Sequence, residues 1–188
     1  MGTAARAPWR PTKDQITAAH GATVPDILAR GLDVLFCGIN PGLYSGAVGH
    51  HFARPGNRFW RALHGSGFTD RVISPFEERE LLAGRLGITN LVDRATAGAE
   101  ELAAEELVEG ARRLRRKVCR FTPRFVAFLG LSAYRISFSR KTARPGRQEE
   151  TMCGSSVWLL PNPSGLNAHY QLPELVAAFR ALLDATAR

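Results

Sequence analysis

The chain of 188 residues carries 25 Lys and Arg against 17 Asp and Glu, a formal net charge of +8, and 45% of its residues are apolar. This length and apolar content predict one globular domain with a buried core and exclude a wholly disordered chain. The basic excess favours a polyanionic partner. Arginine supplies all the basic residues except Lys13, Lys117 and Lys141, and its guanidinium binds phosphates and stacks on bases. A GC-rich genome would produce the same arginine bias, so the charge alone does not decide the partner.

The three cysteines, Cys37, Cys119 and Cys153, are far apart and form no Cys-x-x-Cys pair. Their spacing argues against a zinc site, an iron–sulfur cluster or a disulfide framework, and it favours a reducing compartment. The sequence shows no signal peptide and no apolar run long enough to cross a bilayer. We therefore expect an intracellular protein with no membrane partner.

Taken in chain order, residues 1–23 mix Pro, Gly, Ala and charges without periodicity, which predicts a flexible N-terminal arm with a short helical turn near Thr12–Ala19. A single domain is expected over residues 24–188. Four apolar runs predict buried strands, at 34–37, 86–92, 125–130 and 155–160. Helical patterns lie between and after them, at 58–63, 74–82, 98–118, 132–139 and from 173 onward. The polar segment 140–150 predicts a surface loop. This alternation predicts a three-layer α/β/α fold with a four-stranded parallel sheet.

Two of the four predicted strands end in loops that contain Asn-Pro, at residues 38–42 and 161–167. Loops that follow parallel strands lie at one edge of the sheet, so both loops and Asp93 are expected to meet in one cleft. A single Asn-Pro-Gly is most simply a turn. The first loop, however, continues into a stretch rich in aromatic and histidine residues, which favours a binding site.

Four motifs resemble the mismatch-specific uracil-DNA and thymine-DNA glycosylases of the uracil-DNA glycosylase superfamily: GINPG at 38–42, FARPGNRFW at 52–60, LVDR at 91–94 and NPSGL at 162–166. The resemblance covers most of the chain from about residue 32. It implies a four-stranded parallel sheet between helices and an enzyme that flips a damaged base out of DNA and cleaves it from its sugar, with no metal or cofactor. None of these motifs contains a lysine that could form a Schiff base, so we expect a monofunctional glycosylase that leaves an abasic site.

The resemblance also implies roles for individual residues. Asn40 orients the attacking water, and Phe52 stacks on the extruded base. The expected base-binding residues are Ile39, Gly42, Tyr44, Ser45, Phe52 and Asn162. Leu166 is the expected wedge that fills the hole in the base stack, with Ser164, Gly165, Asn167 and Arg58 as the neighbouring wedge or backbone contacts. The chain departs from the family where Tyr44 replaces a small hydroxyl residue beside the base, and where Ala168 replaces an arginine, with His169 as the neighbouring substitute.

A carboxylate in the cleft would add what Asn40 lacks, because an amide positions water but cannot accept its proton. Asp93 is the one carboxylate that the sequence places at a strand end, and we predict a catalytic role for it beside Asn40. A salt bridge with Arg94 or a helix cap is the alternative for Asp93. His50 and His51 are interpreted as loop or phosphate contacts.

The sequence therefore predicts a cytoplasmic, nucleoid-associated and monomeric base excision repair enzyme that removes uracil and related damaged pyrimidines from G·U or other mismatched duplexes. Single-stranded DNA is a further expected partner. The alternative is a DNA-lesion-binding protein of the same fold with little or no turnover. A small-molecule nucleotide enzyme is disfavoured, because the chain lacks the GxGxxG and GxxxxGK spacings and such an enzyme would have no use for a wedge loop.

Overall fold

The computed structural model describes residues 9–187. Its strands are Val34–Gly38 (β1), Leu86–Asn90 (β2), Phe125–Leu129 (β3), Gly146–Met152 (β4) and Ser155–Leu160 (β5). Its α-helices are Lys13–Ala18 (α1), Leu43–Val48 (α2), Phe59–Gly65 (α3), Ala104–Phe121 (α4), Leu131–Ser137 (α5) and Leu172–Thr186 (α6), and two 3-10 helices span Pro75–Leu82 and Ala99–Glu101. No helix within the described residues is both long enough and apolar enough to cross a membrane.

The sheet has five strands in the order β2-β1-β3-β5-β4, so the prediction of four strands was wrong by one. The four predicted strands are present and run parallel, whereas β4 pairs antiparallel with β5 at the edge. β4 lies in the segment that was predicted to be a loop. Its residues, GRQEETM, are mostly polar and alternate between exposed and half-buried, because an edge strand leaves much of its surface to solvent. Such a strand lacks the apolar run that revealed the others.

Helices cover both faces of the sheet, which confirms the predicted three-layer α/β/α fold. Successive residues of β1 point to opposite faces, so that Phe36 packs with Phe59 of α3 and Phe179 of α6, while Leu35 packs with Leu114 of α4 on the other side. All of these side chains are buried. Each contributes about 1.5–3 kcal/mol through burial, so the two cores hold β1 rigidly at the centre of the sheet.

Three local predictions change in the structure. The stretch that follows the first Asn-Pro loop forms the short helix α2, which ends at Gly49 in a left-handed conformation (φ 74°). The helix predicted over 98–118 is divided, because the extended residues Leu102 and Ala103 separate the 3-10 helix from α4. The helix predicted from the Ser74 capping box is present as a 3-10 helix with that capping box intact.

The segment predicted to be a flexible arm is described from residue 9 onward. The expected helical turn is present as α1, which begins at a Thr12 capping box. After it, backbone hydrogen bonds join Gly21 and Ala22 to Ala95, and Ala19 is buried, so this part of the arm lies against the domain. The rest of the predicted arm, residues 1–8, lies outside the described residues.

Cys119 and Cys153 form a disulfide, with Cα atoms 5.2 Å apart, which corrects the expectation of unpaired cysteines. The bond connects the last turn of α4 to the turn between β4 and β5. The two residues are separated by 34 positions in the chain, and only the packing of α4 against the sheet edge brings them together. Cys37 is a buried free thiol, in agreement with its predicted core position.

Candidate active site

One cleft of about 680 Å³ lies at the carboxyl edge of the parallel strands. Residues at the ends of four strands line it: Gly38 of β1, Asn90 of β2, Leu129 of β3 and Pro161 after β5. Its size suits a small-molecule ligand, and its position is the one expected for a ligand site in an open α/β sheet.

The cleft brings together most of the residues that the sequence singled out. Those that line it are Ile39, Asn40, Gly42, Ser45, Phe52, Asn162, Ser164, Leu166 and Asn167. Four others do not line it: Tyr44, Arg58, Asp93 and Gly165. The lining also includes polar residues that were not assigned to the base or to catalysis: His51, Asn57, Asn90, Thr96, His169 and Tyr170.

The Asn40 amide is held in one orientation. Its Nδ2 donates to Thr96 Oγ1 at 2.7 Å, to the Arg94 carbonyl at 3.1 Å and to the Pro41 carbonyl at 3.2 Å. Thr96 Oγ1 in turn donates to the Gly98 carbonyl at 2.8 Å, which makes it an acceptor toward Asn40. The reverse amide orientation would turn Asn40 Oδ1 toward these acceptors, so the network fixes Oδ1 as the acceptor that remains for a ligand or water.

Phe52 forms an aromatic wall of the cleft. One face of its ring stacks on Phe59, with centroids 4.2 Å apart, and its backbone is left-handed with a φ of 51°. A non-glycine residue in this conformation is strained unless its surroundings hold it. The buried carboxylate of Glu78 holds the preceding residues, since it accepts from the His51 backbone N–H at 2.8 Å and lies 2.9 Å from His50 Nδ1.

Asn90 and His51 form a buried polar pair at the floor of the cleft. His51 Nε2 lies 3.0 Å from the Pro25 carbonyl, which can only accept, so Nε2 carries the proton and Nδ1 accepts from Asn90 Nδ2 at 3.3 Å. This arrangement leaves Asn90 Oδ1 as an acceptor in the cleft. Gly38 permits it, because a Cβ at that position would lie 2.5 Å from Asn90 Oδ1 and 3.3 Å from the Phe52 ring.

Burial lowers the pKa of His51 below its ordinary value, against the opposing influence of the nearby Glu78 carboxylate. His51 is 2% exposed, and the neutral form of its imidazole fits the pairing with the Asn90 amide. His51 is therefore part of the cleft floor, and of the two roles that the sequence suggested, a loop contact or a phosphate contact, its burial fits the first.

Asp93 does not reach the cleft. Its carboxylate lies 3.6 Å from Lys117 Nζ and 3.8 Å from Arg113 Nε, both on α4, and its side chain is about half exposed. The predicted alternative of an Arg94 salt bridge is also absent, because Arg94 pairs with Glu106 at 2.7 Å. The structure thus supports a surface ion-pair role for Asp93 and gives no contact through which it could act on a ligand in the cleft.

The second Asn-Pro loop presents Leu166 to solvent beside the cleft, with 70% of its surface exposed. Hydrogen bonds within the loop define its shape: Asn162 Oδ1 accepts from the Ser164 N–H at 2.9 Å, and Asn167 Nδ2 donates to the Asn162 carbonyl at 2.9 Å. A Cβ on Gly165 would lie 2.8 Å from the Gly56 carbonyl, so the loop contacts the segment before α3 closely. A single exposed apolar side chain is common on protein surfaces, so it is the position of Leu166 in the lining of the cleft that makes it a candidate binding residue.

Arg58 is hydrogen-bonded to the backbone of the loop that carries Leu166. Its guanidinium, in a side chain that is 7% exposed, donates to the carbonyls of Ser164, Asn167 (2.9 Å) and Tyr170 (2.6 Å), and its backbone N–H donates to the Pro163 carbonyl. Arg58 was predicted to touch DNA directly. Its burial and its partners instead make it a positioning residue for the loop that carries Leu166.

The structure also places the two residues, Tyr44 and Ala168, at which the sequence departs from the family pattern. Tyr44 lies on α2 outside the cleft, while the next residue, Ser45, is buried, lines the cleft and accepts from the Ala53 N–H at 3.1 Å. Residues adjacent on a helix point about 100° apart, which separates the two side chains. Ala168 is exposed, and the neighbouring His169 lines the cleft.

The charges at the cleft are few. Glu100 is the one carboxylate that lines it within residues 9–187, and Arg54 and Arg135 are the cationic side chains there. The same residues contain no group of three or more His, Cys, Asp or Glu side chains arranged to hold a metal. The cleft is therefore dominated by neutral amides, hydroxyls and one aromatic face, which suit an uncharged planar ligand with hydrogen-bonding edges.

The cleft at the carboxyl edge of this open α/β sheet, with its amides and its aromatic wall, is of the kind in which proteins of this architecture bind ligands. The model of the uracil DNA glycosylase superfamily matches residues 25–185, so the chain belongs to that superfamily and acts on DNA as a glycosylase, an N-glycosyl hydrolase of DNA repair. The fold is similar to the solution NMR structure of a protein from Methanosarcina acetivorans that is provisionally assigned as a uracil DNA glycosylase, with a TM-score of 0.56 and 22% identity. That similarity covers 87% of this chain and 98% of the other.

Proposed function

We propose that the protein is a monofunctional, mismatch-specific glycosylase that removes uracil opposite guanine, and related damaged pyrimidines, from duplex DNA. The observation that carries this proposal is the fixed Asn40 amide facing the same cleft as the Phe52 ring and the exposed Leu166. These three features correspond to three needs of base excision: a positioned water, a surface for the base, and an element that fills the space left in the stack.

The base is proposed to bind between Phe52 and the amides of the cleft. Stacking on an aromatic ring is worth about 1–3 kcal/mol per base, comparable with the few kcal/mol that flipping costs. Asn90 Oδ1 is an acceptor suited to the N3–H of uracil, since Asn90 Nδ2 is already bonded to His51. Cytosine has no N–H at that ring position, so this contact favours uracil.

In the proposed reaction, Asn40 Oδ1 accepts a hydrogen bond from a water and directs its oxygen at C1′ of the sugar. The C1′–N1 bond breaks, its electrons pass to the base, and the water oxygen forms the new bond to C1′. The hydroxyl group ends on the sugar and the remaining proton on the base, which leaves an abasic site. Among residues 9–187 no lysine lines the cleft, which supports hydrolysis over a Schiff-base mechanism.

Leu166 is proposed to enter the duplex at the position that the base has left, with Asn167 and His169 beside it to meet the opposite strand. An apolar side chain inserted between base steps is a recurrent device of DNA-bending and base-flipping proteins. A preference for guanine opposite the lesion is supported by the resemblance of the 38–42 and 162–166 motifs to the mismatch-specific group.

The test is cleavage of a duplex that carries one uracil opposite guanine, followed both as released uracil and as alkali-labile strand. We expect wild-type protein to yield equal amounts of the two, and Asn40→Ala to bind the duplex while releasing base about 10²–10³-fold more slowly, as for the loss of one positioned polar group. The competing function is a lesion-binding protein without turnover. Tight binding of the duplex with no released uracil from wild-type protein would favour that function and exclude the proposed removal of uracil opposite guanine.

A further inference from the structure

Four exposed arginines form a stripe along α4, away from the cleft. Arg112, Arg115, Arg116 and Arg120 are spaced by three and four residues and therefore share one face of the helix. Together with Cys119 they line a shallow surface depression. We call these four residues the arginine stripe.

The fold does not account for this concentration of charge. Arg115 and Arg120 pair with no carboxylate among residues 9–187, and Arg112 and Arg116 share a single one, Glu109, at 3.2 and 3.7 Å. Like charges four residues apart, as in Arg112 with Arg116 and Arg116 with Arg120, destabilise a helix. A cation near a helix C-terminus is favourable, but that effect is confined to the last turn.

Two other cationic side chains of α4, Arg113 and Lys117, do form ion pairs within the fold. Lys117 Nζ lies 2.7 Å from Asp26 and 3.6 Å from Asp93, and Arg113 faces Asp93, so both belong to a half-buried ion-pair network. α4 ends at Phe121, so of the stripe only Arg120 is close enough to benefit from the helix dipole. Arg115 has neither explanation, and Arg112 and Arg116 have only the one carboxylate of Glu109 between them.

The stripe runs toward the opposite edge of the sheet from the cleft. α4 leads through Thr122 into the amino end of β3, and the disulfide from Cys119 attaches the helix to the turn before the amino end of β5. The cleft lies at the carboxyl ends of the same strands. A duplex engaged by Leu166 therefore contacts one edge of the domain, and the stripe is available to a different segment.

The chemistry of the stripe fits the phosphate backbone of duplex DNA. Its arginines extend over nine residues of helix, eight steps of about 1.5 Å or about 12 Å, along which one strand of a duplex presents about three to four phosphates. Arginine binds phosphate with a planar fork. Surfaces for single strands add exposed aromatic side chains for stacking, whereas the aromatic residue next to the stripe, Phe121, is half-buried with the Arg120 guanidinium over its ring.

We propose that the arginine stripe is a second DNA-binding site, which holds the backbone phosphates of a duplex segment other than the one in the cleft. The protein then binds two segments at once and passes between them without full release. This inference goes beyond the glycosylase reaction and does not depend on turnover, because it concerns undamaged duplex.

The experiment compares two variants of equal net charge. The stripe variant carries Arg→Gln at positions 112, 115, 116 and 120, and the control carries Arg→Gln at four exposed arginines elsewhere, Arg30, Arg61, Arg79 and Arg180. Undamaged 30-base-pair duplex is immobilised, protein is added, and capture of a second, fluorescent duplex is measured as a function of salt. Sedimentation of each protein records its oligomeric state.

We expect the stripe variant to capture at least tenfold less of the second duplex than the control does. The slope of log K against log salt should be shallower by about 0.9 for each phosphate that the variant no longer neutralises. Its single-turnover cleavage of a short U·G duplex should equal that of the control. Equal capture by the two variants would overturn the proposal. So would equally strong capture of a single strand, or a change of oligomeric state in the stripe variant, which would make the stripe a contact between copies of the chain.

Discussion

The replacement Arg58→Met tests whether activity on duplex DNA depends on a loop held in one conformation. Methionine keeps the apolar stem of the side chain and removes the donors to the carbonyls of Ser164, Asn167 and Tyr170. Hydrogen bonds from a charged donor contribute about 1.5–3 kcal/mol each. The three hydrogen bonds together are offset in part by the cost of burying the guanidinium. Their removal should therefore lower the free energy that holds the loop in its observed conformation by about 2–4 kcal/mol.

About 1.4 kcal/mol corresponds to a factor of ten. If the whole loss acts on the placement of Leu166 in the duplex, the rate of cleavage of a U·G duplex should fall by about 30- to 1000-fold. Cleavage of uracil in a single strand should fall much less, since no space in a stack needs to be filled there. Single-turnover rates on both substrates provide the ratio. Arg61→Met, which alters an exposed arginine of α3, the helix that follows Arg58, is the matched control and should leave the ratio unchanged.

A double-mutant cycle with Leu166→Ala shows whether Arg58 acts through the wedge. If it does, Arg58→Met should add little to the duplex defect of Leu166→Ala, because the interaction it supports is already gone. Arg58→Lys, with one donor group in place of a fork, should recover part of the activity. Equal loss on duplex and single strand, or full additivity in the cycle, would refute the positioning role.

Three further predictions follow from the cleft. Asp93→Ala should slow single-turnover cleavage less than about threefold, since an exposed ion pair contributes only about 0–1 kcal/mol; a loss as large as that of Asn40→Ala would restore Asp93 to catalysis. Burial lowers the pKa of His51, so between the folded and the ordinary pKa the unfolded chain binds more protons than the folded one. The contribution of His51 to the free energy of unfolding should therefore be complete above about pH 6.5, the ordinary pKa of histidine, and should decrease as the pH falls below it. His51→Gln should make this decrease smaller in denaturant titrations at pH 5–7. Gly38→Ala places a Cβ 2.5 Å from Asn90 Oδ1. It should lower the free energy of unfolding by about 1–3 kcal/mol and raise KM for uracil-containing DNA. If neither value changes, the contact between Gly38 and Asn90 is contradicted.

The parallel part of the fold was predictable because its strands are buried on both faces. The residues of β1 and β3 are all buried, which produces continuous apolar runs that stand out in the sequence. Strand ends then locate the cleft by topology alone, and Asn40 and Asn162 followed from that rule. β4 was missed because an edge strand meets solvent and carries no such run.

Other features depend on distant parts of the chain. The disulfide joins Cys119 to Cys153 across the sheet edge, and no local pattern indicates such a pairing. α2 contains Gly46 in a glycine-rich stretch with weak helical preference, yet it forms because Gly46 fits closely against Ala95, which a Cβ would approach to 2.8 Å. In both cases tertiary contacts outweigh the local sequence.

The residue at the end of β2 shows how a correct rule was applied to the wrong position. β1 and β2 are paired so that Gly38 lies opposite Asn90, and the cleft begins where both strands end. Beyond that point, Leu91 and Val92 continue to bond to the backbone of Gly38 and Ile39, which carries the chain past the cleft before Asp93 turns toward α4. The strand-end rule thus selects the amide of Asn90, and the site gains a second fixed neutral acceptor in place of a carboxylate. The two amides, Asn40 and Asn90, can orient a water and a base but cannot take up a proton, so the role we propose for them is positioning.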